Sequence, residues 1–342
     1  MSNRLNAKFL KLITVVTLLT LQTPVFGGTQ EVRVGHFPNV THAPALIARA
    51  RGHFESELGK GVGVRWKTFN AGPEAIEALF AGAIDILYVG PNPAVNGFIR
   101  SKGEALRVVA GVASGGSAFV VRTGSGIQQF EEIRRKRVAS PQKGNTQDVA
   151  LLYLMKQKGL VSKTQGGEVE IFNISGGDQI TAFLKNQVDA IWTVEPWVSR
   201  LVTEAGGQIL FEEAERWPEG KYAATLLVVR KRFLDEYPDL VQEWVRAHAG
   251  IIRWMQGHFT EAKKIFNEEL KRETGQPLPA DYLEHSFGRI VFTEDLMKTQ
   301  VLESAERARA VGYLGKNPID LANLFEPSFL DSAHSAEKKE VR

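Results

Sequence analysis

The sequence predicts an α/β protein of two similar lobes, each a mixed sheet flanked by helices. Three observations lead there. Short apolar or β-branched runs alternate with helical patterns as far as about residue 231, which is the pattern of mostly parallel sheets covered by helices. A stretch starting at Ala71 is echoed 104 residues later, at Ser175. Beyond 231 strand-like runs cease, and "DEYPDLVQEWVRAHAGIIRWMQ" and the segments after it read as helices.

The chain begins "MSNRLNAKFLKLITVVTLLTLQTPVFGGTQ". Arg4, Lys8 and Lys11 precede the mostly apolar run Leu12 to Leu21, and Val25 and Gly27 place small residues at the −3 and −1 positions of a cleavage site. Basic, apolar and small residues in that order predict a cleavable export signal over 1–27, its apolar run being too short to span a bilayer. This segment carries three of the 42 Lys and Arg and none of the 39 Asp and Glu, so the remaining 315 residues hold 39 of each sign. Such a balance gives no reason to expect nucleic-acid binding.

No other stretch is long and apolar enough to cross a membrane. The chain has no Cys, which excludes disulfides, thiolate metal sites, a Cys nucleophile and lipid attachment at an N-terminal Cys. An exported, Cys-free chain of this size suits a bacterial periplasm, because about two ordinary domains bury enough surface without a disulfide.

Strands are expected at "VRVGHF" from 32, "VRWKTF" from 64, "IDILYV" from 84, "LRVVAGV" from 106, "AFVVR" from 118, "KRVAS" from 136, "VEIFNI" from 169, "DAIWTV" from 189 and "ATLLVVR" from 224. Helical patterns lie between them, for example at 43–58, 74–81, 145–158 and 178–186. The expected organisation is lobe 1 from 28 to 118, lobe 2 from 119 to 223, a return to lobe 1 with C-terminal helices over 224–330, and a polar, disordered tail over 331–342. "AFVVR" and "ATLLVVR" are then the two crossings, the places where a hinge would act.

The echo supports two lobes. "AGPEAIEALFAGAIDILYVGP" aligns with "SGGDQITAFLKNQVDAIWTVE", matching Gly72 with Gly176, Ile76 with Ile180, Ala78 with Ala182, Asp85 with Asp189 and Tyr88 with Trp192. Upstream, "VGHFPNVTHAPAL" lines up loosely with "VASPQKGNTQDVAL". A chance likeness of βα units is the alternative, since such units share composition.

Ligands of open α/β sheets sit beyond the carboxyl ends of the strands, beside helix N-termini. Four strand ends here run into polar or Gly/Pro loops, two from each lobe: "HFPNVTH", "VGPNPAVN", "ASPQKGNTQD" and "WTVEPW". Gly144, Asn145, Thr146 and Gln147 open a helix with free N–H groups, a hydroxyl and two amides, which suits an anion; ordinary helix capping is the competing reading. Pro91 stiffens a turn and Asn92 caps a helix, again with turn chemistry alone as the alternative. Asn39, Thr41 and His42 stand where the first strand meets its helix, and Ser114 and Gly115 form a donor-rich stretch before the first crossing. Trp192 and Trp197 are aromatics near a strand end, where core packing is the default. Glu195 would repel an anion if ionised beside it. It is read either as a partner for an amine or hydroxyl at the ligand's far end, or as paired with Arg200.

Catalytic and metal motifs are missing. "VASGGS" lacks the spacing of a nucleophile elbow, H-E-x-x-H does not occur, the seven His are scattered, and no Gly-rich phosphate loop is present. No cofactor, metal or catalytic residue is expected.

The export signal, "HFPNVTHAPALIARARGHFE", "FNAGPEAIEALFAGAIDILYVGPNPAV", "GNTQDVALLYL" and "DAIWTVEPWVSRL" together resemble the periplasmic substrate-binding proteins of ATP-binding-cassette importers, in the branch serving alkanesulfonates, taurine, nitrate and thiamine precursors. The likeness covers roughly residues 30 to 325. It implies a two-lobed periplasmic binding protein fold (type II-like) with a ligand cleft between the lobes, and delivery of a small ligand to a membrane permease without catalysis. "GNTQD" with "GPNP" is most similar to proteins for aliphatic sulfonates; "EPW" is also similar to nitrate and bicarbonate relatives. The expectation is a monomeric periplasmic receptor for a small organic anion, first an aliphatic sulfonate. Nitrate, bicarbonate, taurine and a pyrimidine thiamine precursor are the alternatives. From another class, an effector-sensing domain of a regulator is opposed by the export signal and by the lack of a helix-turn-helix.

Overall fold

The computed structural model describes residues 30–315 and 320–340. The predicted export signal lies outside the described residues. From its first described residue the chain runs through β1 (Gln30–His36), α1 (Ala43–Ala50), α2 (His53–Leu58), β2 (Val62–Thr68), α3 (Gly72–Phe80), β3 (Ile86–Val89), α4 (Pro91–Arg100) and β4 (Leu106–Gly115). It crosses into β5 (Ser117–Arg122), β6 (Arg137–Ser140), α5 (Thr146–Gln157), β7 (Glu170–Asn173), α6 (Gly176–Leu184), β8 (Ala190–Val194), α7 (Trp197–Glu204) and β9 (Gly207–Glu212). It returns with β10 (Ala223–Arg230), then α8 (Lys231–Glu236), α9 (Pro238–Gly257), α10 (Phe259–Thr274), α11 (Ala280–Gly288), β11 (Ile290–Phe292), α12 (Lys298–Ala310) and α13 (Ser328–Glu340).

Two sheets result, in the orders β11-β4-β10-β3-β1-β2 and β7-β6-β8-β5-β9. In the first, β1, β2 and β3 are parallel and β10 runs antiparallel to β3 and β4. In the second, β6, β7 and β8 are parallel and β5 runs antiparallel to β8 and β9. Leaving out β11, one order maps onto the other. The central strands are apolar on both faces, as helices on both sides require: all four residues of β3 and all five of β8 are buried.

The 104-residue echo has a physical basis that goes beyond its apolar positions. Asp85 accepts from the backbone N–H, Nε and Nη2 of Arg33 and from Nη2 of Arg230. Asp189 accepts from the same three groups of Arg137 and from Nη2 of Arg122. Arg33 and Arg137 are themselves 104 residues apart. In each lobe a carboxylate before the third parallel strand thus ties the first strand to the antiparallel strand, β10 in one lobe and β5 in the other. Both carboxyls are held below their ordinary value, because these hydrogen bonds outweigh the cost of burial.

Four expectations are corrected. The helical pattern over 43–58 is two helices, broken at Gly52, which takes the left-handed conformation (φ 59). Strands do not stop at 231: the three-residue β11 pairs with β4. The edge strand β9, half exposed along its six residues, also carries no strong pattern of its own. Of the tail expected to be disordered from 331, residues 331–340 belong to α13 and 341–342 lie outside the described residues; α13 packs on α9, Leu330 and Ala333 are buried, and Gln242 Nε2 on α9 donates to Phe329 O at 2.9 Å. "AFVVR" and "ATLLVVR" are not the crossings, because β5 and β10 are each paired on both sides within one sheet. The chain changes lobes just before them. The first change is at Gly115 and Gly116, where two successive residues have positive φ (91 and 85), open to Gly at little cost. The second is over 213–222.

Candidate ligand cleft

Each parallel strand feeds a helix over the same sheet edge, so helix N-termini gather there. In this chain that edge of one lobe faces that edge of the other. A small cavity of about 50 Å³ lies between them. From lobe 1 it is lined by Asn39, Thr41 and His42 ahead of α1, Asn70 to Gly72 at the start of α3, and Gly90 ahead of α4. From lobe 2 come Asn145, Thr146 and Gln147 at α5, Gly176 at α6, and Thr193, Val194 and Trp197 around the start of α7. Six helices therefore begin at one cavity.

The lining follows the repeat. Thr41 and His42 correspond to Asn145 and Thr146, Gly72 to Gly176, and Gly90 to Val194, each pair 104 residues apart. The two helix-starting glycines fit for the same reason in both lobes. A Cβ on Gly72 would lie 2.3 Å from the Pro93 ring, and one on Gly176 would lie 2.2 Å from Trp197 Nε1. Pro93 and Trp197 are again 104 apart.

In none of these six helices does the N-cap side chain make a cap bond to the first turn; in α7 alone a neighbouring side chain does so, Glu195 Oε2 accepting from Ser199 N–H at 3.1 Å. The capping reading of "GNTQ" predicted one from Asn145, which stands at the N-cap position with extended backbone and makes none. The Thr146 hydroxyl is buried at the cavity without any partner, although buried hydroxyls are normally paired. Gly90 lies against it: a Cβ there would fall 2.4 Å from Thr146 Oγ1.

His42 adds a neutral donor. Phe37 N–H donates to its Nδ1 at 3.3 Å, which leaves the ring hydrogen on Nε2. Burial, helped by nearby His36, pushes the His42 imidazole well below its ordinary value, so it stays uncharged. No Lys, Arg, Asp or Glu is among the lining residues. The cavity is a ring of neutral donors and helix N-termini, an arrangement that favours negative charge without a countercharge.

Of the sequence candidates, Asn39, Thr41, His42, Asn145, Thr146, Gln147 and Trp197 come together at this cavity, and the others stand apart. Gly144 is not among the lining residues: at φ 80 it shapes the loop, a Cβ on it would touch nothing within 4 Å, and its N–H donates to Asp148. Pro91 lies within the first turn of α4, and Asn92 Nδ2 donates to Ser304 O beneath it. Ser114 accepts from Tyr222 N–H, and Gly115 packs on Arg289 O. Trp192 is in the lobe 2 core, donating to Glu213 and packed on Phe119 and Phe211.

Glu195 is fully buried behind the cavity wall and pairs with Arg289, not Arg200. It also accepts from the Ser199 backbone and hydroxyl and from Ser286. Burial raises its carboxyl, opposed by the Arg289 charge. Gly72, Gly90, Gly176 and Thr193 were not picked out as ligand contacts, and only the repeat, by pairing Gly72 with Gly176, pointed towards any of them.

The lobes already touch around the cavity. Trp197 Nε1 donates to Asn39 Oδ1 at 3.2 Å, and Val40 N–H to Glu195 O at 3.1 Å.

Residues 27–268 match the sequence profile of the NMT1-like family. The chain belongs to that family. Among relatives of this NMT1-like protein is a Bacillus subtilis (strain 168) protein given the name of an aliphatic sulfonates-binding protein, 28% identical over 244 residues, which is 70% of this chain and 69% of the relative. The taurine-binding periplasmic protein of Escherichia coli (strain K12) is 26% identical over 231 residues, 68% of this chain and 69% of the relative. Among solved structures, the alkanesulfonate-binding protein SsuA from Xanthomonas axonopodis pv. citri bound to MOPS superposes with a TM-score of 0.72 at 20% identity, covering 86% of this chain and 98% of that one. The NMT1-like chain thus has the two-lobed fold of periplasmic binding proteins, and its named relatives are binding proteins.

Proposed function

We propose that this protein is an extracytoplasmic solute receptor that closes on a small organic anion, an aliphatic sulfonate, and hands it to an ATP-binding-cassette permease. The observation that carries the reading is the meeting of six helix N-termini, five of them without a side-chain cap, and the unpartnered Thr146 hydroxyl at a cavity with no charged side chain in its lining. A sulfonate offers three oxygens to such donors and needs no cation beside it. The relatives' names agree with this ligand class.

The same lining argues against taurine, whose amine would find no carboxylate there. Over the Trp197 ring stands the Arg200 guanidinium, 5.6 Å from its centroid, which repels a second cation. A bare oxyanion such as nitrate is the second reading. It is favoured by the cavity's volume of about 50 Å³, far below the roughly 300–1,000 Å³ of sites for drug-sized ligands.

A thermal-shift and calorimetry panel on the purified chain tests this, using ethanesulfonate, taurine, nitrate, bicarbonate and a hydroxymethylpyrimidine. Ethanesulfonate at 100 times its dissociation constant is expected to add about 2.7 kcal/mol of stability. A response confined to the pyrimidine overturns the anion reading.

A further inference from the structure

We propose that Tyr313, which reaches from lobe 1 to lobe 2, is a positioning residue that sets the loop before α5 through Asp148. This rests on the reading that the start of α5 faces the ligand.

Tyr313 follows α12, a helix packed on α4 and on the lobe 1 core through Val301 and Ala305. Its hydroxyl donates to Asp148 Oδ2 at 2.6 Å. Asp148 sits in the first turn of α5 and is 2% exposed. Its Oδ1 accepts from Ser140 Oγ at 2.7 Å and Asn173 Nδ2 at 3.0 Å, and its Oδ2 also accepts from Gly144 N–H at 2.8 Å. Three of these four neutral donors belong to lobe 2. Tyr313 alone comes from across the cleft.

The geometry gives this bond two consequences. The Asp148 carboxylate holds Gly144 in its left-handed conformation, and so aims Asn145, Thr146 and Gln147 at the cavity. It is also a negative charge within the turn that is to receive an anion. A phenol hydroxyl on Oδ2 draws off part of that charge, because an O–H···O⁻ bond is short and strong. Burial and the Asp148 charge hold the phenol well above its ordinary value, so it remains a donor. Closing the lobes forms the bond, and forming the bond prepares the loop for an anion. By linkage, anion binding favours closure to the same extent.

Tyr313→Phe keeps the ring and deletes the donor. Two readouts test it. The first needs no ligand. Because the chain has no Cys, spin labels placed by Lys102→Cys on lobe 1 and Lys185→Cys on lobe 2 report lobe separation alone. Tyr313→Phe is expected to move the ligand-free distance distribution towards longer values. The second is ethanesulfonate affinity, expected to fall about tenfold through faster dissociation. In an Asp148→Asn background the Tyr313 substitution is expected to lose most of its effect on both.

Superposable distance distributions with unchanged affinity overturn the proposal. So does a lower melting temperature as the sole change, which is what a merely structural contact would give. If the unmutated protein binds no ethanesulfonate, the proposed function fails, and the ligand-free distances still decide the role of Tyr313.

Discussion

At the residue scale, Thr146 decides between a cap and a cradle. A capping hydroxyl or amide accepts from the helix's own N–H groups. Neither Thr146 nor Asn145 does so, and the Thr146 hydroxyl is buried without a partner. Leaving a buried hydroxyl unpaired costs roughly 1–3 kcal/mol, a penalty that a bound oxyanion would remove. Thr146→Ala should therefore leave the ligand-free protein as stable as before, or slightly more so. Affinity for ethanesulfonate should drop about ten- to a hundredfold, the worth of a hydrogen bond to a charged group. Gly90→Ala should act in the same direction, since its methyl group needs the space Thr146 Oγ1 holds when the lobes meet. Urea melts of the ligand-free variants beside calorimetric dissociation constants check both. Earlier melts with unchanged binding would return Thr146 to ordinary packing.

At the element scale, the paired Asp–Arg ties explain why the repeat kept its charged positions. Asp189 joins β6 to β5 through Arg137 and Arg122, and its carboxyl lies at about 2 against an ordinary 3.8. A carboxyl depressed in the folded state contributes stability that is present above about pH 4 and is lost as pH falls towards 2. The shift corresponds to about 2 kcal/mol, and the partly exposed arginines screen it to about 1 kcal/mol. Asp189→Asn should thus be less stable than the unmutated chain in urea melts at pH 7, with the difference closing as pH approaches 2.5. A difference independent of pH would remove the charge from the account. The central strands and the helices between them were legible because burial on both faces leaves long apolar runs, as in "DAIWTV". Two of the edge strands, β9 and β11, were not: β9 is half exposed along its length, β11 has three residues, and among the described side chains of α13 two are buried in a polar stretch, so tertiary contact settles what local pattern leaves open.

At the scale of the whole molecule, the site belongs to neither lobe, and that limited its legibility. The polar loops Asn39–His42 and Asn145–Gln147 carry their own chemistry and could be read. Gly90, Gly176 and Thr193 gain meaning only from what the other lobe, or the next helix, places against them. Trp192 and Glu195 looked like site residues by position, but one points into the lobe 2 core and the other bridges to Arg289. The two connectors between the lobes lie side by side. Ser117 N–H donates to Tyr222 Oη at 2.9 Å, and Tyr222 N–H to Ser114 Oγ at 3.3 Å. Strands β5 and β10, which follow them, are locked in their sheets, so rotation has to be absorbed over Gly115–Gly116 and 213–222. Two short, adjoining connectors between rigid lobes define a hinge. A ligand that touches both lobes favours the closed arrangement by its difference in affinity for the two states. Ethanesulfonate should therefore lower the radius of gyration in small-angle scattering, whereas tetraethylammonium, a cation with no place among helix N-termini, should leave it unchanged. A radius that stays constant while calorimetry shows the sulfonate saturating would mean binding without closure, and the hinge would have to be abandoned.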